Sequence, residues 1–104
     1  MIGKNPDLVR RFLRGAQRSF EWSNANQAEA CRLHVQRNPE VEQDDCEGSL
    51  RATMGFVFND HQRRTGLGRF DAERLAFTWR AVAESLQLPA EWDPIQAIDT
   101  SLLP

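Results

Sequence analysis

The stretch that decides the fold is residues 71–89, DAERLAFTWRAVAESLQLP. Its apolar residues recur at steps of three and four, which is the spacing of one face of an α-helix. Asp71 is a favourable N-cap residue, and Pro89 stops the helix because proline cannot continue it. The apolar face consists of Ala72, Leu75, Ala76, Trp79, Val82, Ala83 and Leu86. The pattern predicts an amphipathic helix over residues 71–87, with Trp79 in the core.

The N-terminal part predicts three more helices of the same kind. The first covers residues 6–22, because Asn5-Pro6-Asp7 supplies an N-cap residue, a proline suited to the first turn and an acid that favours the helix dipole. After a polar corner, residues 27–37 form the second helix, and an acidic run precedes the third over residues 43–58.

In two segments the apolar residues do not recur at a sustained helical spacing. Residues 59–69, NDHQRRTGLGR, are polar and contain two glycines, so they are predicted to form a loop. The tail over residues 89–104 contains Pro94 and is predicted to be irregular or to form one short turn. No strand pattern competes with the helices. The prediction is an all-α fold of about four amphipathic helices in one unit over residues 1–104.

The charge and composition exclude several classes of partner. The formal net charge is −2, from 13 basic and 15 acidic residues, so no nucleic acid is expected as partner. No stretch of 18 apolar residues exists, so membrane insertion is not expected. The start, MIGKNPD, lacks the apolar core of a signal peptide, which predicts a cytoplasmic location for the chain as it stands.

The two cysteines, Cys31 and Cys46, match no zinc-binding spacing. Two small buried thiols are the first interpretation, since free cysteine packs as a small hydrophobe. The alternative is a disulfide, which requires an oxidising compartment and Cα atoms within about 7 Å of each other.

Few residues are candidates for chemistry. His34 is predicted to be a core or boundary residue and His61 an exposed loop residue, so neither indicates a metal site. Gly66-Leu67-Gly68 does not have the form of a phosphate-binding loop. No catalytic residues and no cofactor are predicted, and the chain is not expected to be an enzyme. Arg69 and Phe70 are the candidates for the edge of a ligand cleft.

Four segments in order, NPDLVRRFLR, RNPE, GLG-x-x-D and the final SLLP, carry a resemblance over nearly the whole chain. The chain resembles the C-terminal portion of substrate-binding proteins of the nitrate/sulfonate/taurine and thiamine-pyrimidine-precursor ABC-transporter type. The resemblance implies a helical part of a two-lobed α/β protein, located in the periplasm, that captures a small organic or anionic solute and delivers it to an ABC permease.

A second functional hypothesis is a stand-alone helical interaction or oligomerisation module without a small-molecule ligand. Helices that would cover a sheet in the family expose an apolar face when they stand alone. The sequence therefore also predicts self-association through the apolar stripes of the first and last helices.

Overall fold

The structure, a computed structural model, describes residues 2–104 and contains helices but no strands among them. Helix α1 spans Pro6–Ala25, α2 Gln27–Arg37, α3 Gln43–Val57, α4 Asp60–Thr65 and α5 Ala72–Leu86, and a short 3-10 helix follows at Pro94–Ala97. The all-α prediction is confirmed. That residues 1–104 form one unit stays a prediction.

The corner between α1 and α2 is tighter than predicted. Helix α1 continues through the segment expected to break it, and only Asn26 separates it from α2. The Asn26 side chain donates a hydrogen bond to the carbonyl of Trp22 at 2.9 Å, and its own carbonyl accepts from the N–H of Ala30 at 2.9 Å. Asn26 thus satisfies backbone groups of both helices, so a connection of more than one residue is not needed.

The prediction of one loop over residues 59–69 is wrong, because α4 lies within it. The Asn59 side chain caps this helix by accepting the N–H of Gln62 at 3.0 Å, and Asp60 follows in the first turn. Gly66, with φ of 97°, ends it. A cap residue, an acid and a terminal glycine are all present in the sequence, but a helix of one and a half turns leaves no apolar period to detect.

Helices α2 and α3 pack against each other and are joined by a disulfide between Cys31 and Cys46, whose Cα atoms lie 5.7 Å apart. The first interpretation of these residues, two free thiols, is therefore wrong. Cys31 is fully buried, as that interpretation required. Its distance to Cys46 depends on how the two helices pack, which spacing along the chain does not reveal.

Helix α5 packs against the 3-10 helix of the tail. Asp71 caps it by accepting the N–H of Arg74 at 2.9 Å, as predicted, and it ends at Gln87 in the left-handed conformation, φ of 55°. Trp79 is half-buried rather than central, and its ring meets that of Trp92 edge to face with centroids 5.0 Å apart.

The molecule is more open than its length requires. Its accessible surface is 8136 Å², against about 6,000 Å² for a compact monomer of 11.9 kDa. Its radius of gyration is 17.0 Å, against about 13 Å for a compact domain of this length. The buried apolar residues among those described are Cys31, Met54, Ala83 and Leu102. Helix α1 buries none, and Phe12 within its predicted stripe is 71 % exposed.

Candidate ligand-binding cleft

The connection from α4 to α5 is held by the side chain of Gln62. Its oxygen accepts the N–H of Gly68 at 2.9 Å, and its nitrogen donates to the carbonyl of Arg69 at 2.6 Å. Gly68 has φ of 82°, and a Cβ at this position would lie 3.0 Å from the side chain of Leu103. Glycine is therefore needed both for the turn and for the close approach of the tail.

This connection and the tail enclose a cleft of about 300 Å³. Helix α4, the connection and the tail each contribute to its walls, which combine an aromatic ring, two isoleucines, two hydroxyls, an imidazole and a guanidinium. The residues are His61, Thr65, Arg69, Phe70, Ile95, Ile98 and Thr100. Apolar walls with a few polar groups are typical of small-molecule sites, and this volume lies at the lower end of their range.

Arg69 and Phe70, the residues named from the sequence as a cleft edge, lie on the rim where this cleft meets two neighbouring ones. One neighbour, of about 270 Å³, includes Phe56 and Leu67, and the other, of about 230 Å³, includes Asp71. The ring of Phe70 is 56 % exposed. An exposed aromatic ring beside a guanidinium offers a stacking surface and hydrogen-bond donors to a planar ligand.

His61 was predicted to be an exposed loop residue, and this prediction is wrong. Its side chain is 18 % exposed, because α4 turns it inward, and it is not a loop residue. Its Nδ1 lies 3.8 Å from Asp71 Oδ2, too far for a hydrogen bond but close enough for an electrostatic interaction. Its Nε2 is buried and has no hydrogen-bond partner within the described part of the chain.

Asp71 supports this imidazole while it caps α5. The hydrogen bond from the N–H of Arg74 is the main cause that lowers the pKa of Asp71 below its ordinary value; partial burial opposes it and the nearby His61 adds to it.

The other histidine takes no part in the cleft. His34 was predicted to be a core or boundary residue, but it is exposed in the last turn of α2. Its Nδ1 lies 3.4 Å from the side-chain nitrogen of Asn38. Among residues 2–104 no group of three or more His, Cys, Asp or Glu side chains is arranged to hold a metal ion. None of the helices described there is long and apolar enough to cross a membrane.

The chain is similar to a riboflavin-binding protein. That protein is RibY of Chloroflexus aurantiacus, and the two are 30 % identical over 107 aligned residues. The alignment covers the whole of this chain and 30 % of the length of RibY. No protein-family model and no solved structure matches the chain.

These findings correct the resemblance drawn from the sequence. No family model of the nitrate/sulfonate/taurine or thiamine-precursor ABC-transporter type matches, and the named relative is a riboflavin-binding protein. The four segments that carried the resemblance contain the signals that start and stop helices, such as Asn-Pro, Gly-Leu-Gly and a terminal proline. Such signals recur wherever helices begin and end, so they do not identify a transporter component or its solutes.

Proposed function

We propose that this chain contributes to the binding of a small planar heterocycle and performs no chemistry on it. The similarity to a riboflavin-binding protein along the whole chain is the observation that carries the proposal. The proposed place is the cleft between α4, the α4–α5 connection and the tail.

The chemistry of the cleft fits a ring system with polar edges. Phe70 offers a face for stacking, and the two isoleucines of the tail supply apolar contact. Arg69 and the Thr100 hydroxyl supply donors for ring carbonyls such as those on the pyrimidine-like edge of a flavin. The Thr65 hydroxyl donates to the carbonyl of His61 at 2.8 Å, so it meets a ligand as an acceptor.

Titration of the purified chain with riboflavin tests the proposal. Riboflavin is fluorescent, and stacking against an aromatic side chain quenches it, so we expect saturable quenching. Phe70→Ala removes the stacking face, worth about 1 kcal/mol, and should weaken binding about fivefold to tenfold. Phe12→Ala is the matched control, because Phe12 is an exposed phenylalanine on α1 outside the cleft.

Two outcomes would count against this assignment. The absence of saturable quenching up to about 0.1 mM riboflavin would contradict flavin binding by this chain. Equal affinity of the Phe70→Ala and Phe12→Ala variants would move the site away from the cleft. Lumichrome, which has the ring system without the ribityl chain, separates recognition of the ring from recognition of the sugar alcohol.

The disulfide supports a location. Disulfides such as Cys31–Cys46 persist in oxidising compartments and are rare in the cytosol. We therefore propose that the chain resides outside the cytoplasm, as in a periplasm, in contrast to the cytoplasmic location expected from its first residues.

A further inference from the structure

Helix α5 is apolar on two sides, and only one of them is covered. On the inner side Leu75, Trp79 and Ala83 are the most buried residues of the helix. The outer side forms an open groove lined by Phe77, Thr78, Ala81, Val82, Ser85 and Leu86. An apolar helix face normally packs against another element, yet Phe77 on this outer side is 68 % exposed.

The molecule as a whole exposes more surface than a compact monomer of its mass. The accessible area exceeds that of a compact monomer by about 2,000 Å². A standard protein interface buries about 800 Å² on each partner. The excess is therefore large enough to include one such interface, and the groove on α5 is a continuous apolar part of it.

The groove is complementary to itself. When two copies of α5 run antiparallel about a two-fold axis, Phe77 of one faces Leu86 of the other. In the same register Thr78 faces Ser85, and Ala81 faces Val82 close to the axis. Large residues thus lie at both ends and small ones at the centre, where they let the helix axes approach. A two-fold interface requires this kind of self-complementary surface.

From these observations we propose that a second copy of this chain covers the groove and that the chain forms a two-fold symmetric dimer through α5. The dimer places one apolar helix face against its own equivalent. It does not depend on the ligand cleft, which lies on α4, the α4–α5 connection and the tail.

Size-exclusion chromatography with light scattering tests the dimer on the 104-residue chain. We expect twice the chain mass of 11.9 kDa for the wild type. Val82→Glu places a charge at the centre of the groove and should give a monomer with unchanged helical circular dichroism. Arg80→Glu is the matched control on the same helix outside the groove and should remain a dimer. A monomeric wild type at about 100 μM, or a Val82→Glu dimer, would overturn the proposal.

Cross-linking tests the antiparallel register independently of any destabilising charge. Because residue 81 lies close to the two-fold axis, Ala81→Cys should form an intermolecular disulfide under mild oxidation. Glu73→Cys, at the start of α5 and outside the groove, should not cross-link. The native cysteines do not interfere, since they are paired with each other. Equal cross-linking of the two variants would overturn the antiparallel arrangement.

Discussion

At the scale of residues, Asp71 connects the stability of α5 with the candidate cleft. One carboxylate oxygen caps the helix through the N–H of Arg74, and the other lies 3.8 Å from the imidazole of His61. Both interactions favour the ionised carboxylate, which is why the pKa of Asp71 is lowered in the folded chain. The ionised form therefore stabilises the fold, and protonation removes that contribution.

Asp71→Asn should remove the charge of the side chain but keep its hydrogen bond to the start of α5. Asparagine still accepts the N–H of Arg74 but does not ionise. We expect the variant to be less stable than the wild type at pH 7. The difference in free energy of unfolding between the two proteins should become smaller as the pH falls below about 3.9, the ordinary pKa of aspartate in an unfolded chain. It should shrink further as the pH falls through the lower pKa of Asp71 in the folded chain. Urea unfolding at pH 7 and at pH 3 measures this, and a difference that does not change with pH would contradict it.

At the scale of elements, the helices are joined by brief connections and a disulfide rather than packed around a large core. The connections are brief, as at Asn26 between α1 and α2, and the α4–α5 connection is fastened by one glutamine. Four buried apolar residues among those described provide little packing energy. The link between α2 and α3 is therefore important for holding this pair of helices together.

Replacement of both cysteines by alanine should destabilise the α2–α3 pair. The disulfide closes a loop of 15 residues, and its loss should lower the free energy of unfolding by about 3 kcal/mol through the greater freedom of the unfolded chain. Urea unfolding of the Cys31→Ala/Cys46→Ala variant measures the change. Wild type treated with a reductant is the control and should lose a similar amount. Equal stability of the oxidised and reduced chains would contradict this.

At the scale of the whole molecule, the open shape and the uncovered face of α5 link folding to association. If a second copy covers that face, as proposed above, folding is coupled to dimerisation, and the free energy of association adds to the stability of the folded chain. The chain would then be more stable at higher concentration, whereas the stability of a monomer does not depend on concentration.

The thermal midpoint should therefore rise with protein concentration. For a dimer of this length we expect the midpoint to rise by about 3 °C for each tenfold increase in protein concentration. Differential scanning calorimetry over two decades of concentration measures it. Val82→Glu should remove the dependence and Arg80→Glu should keep it. A wild-type midpoint that does not change with concentration would contradict dimer-coupled folding.

Sequence alone determined the helices, because helix signals are local. Helix-start signals such as Asn5-Pro6-Asp7 and Asp71 and the stop at Pro89 helped to place four of the five α-helices within a few residues. The period of three to four in α5 excluded a strand. Helix α4 was missed since it is too short to show a period.

Only the tertiary structure decided what these helices place together. His61 meets Asp71 across ten residues and a glycine turn, Cys31 reaches Cys46 between two helices, and the tail brings Thr100 to the cleft. Arg69 and Phe70 were named from the sequence, but the walls opposite them were not. Such contacts depend on the angles at which helices pack. Those angles are set by contacts between side chains that are distant in sequence, so a local sequence pattern does not predict them.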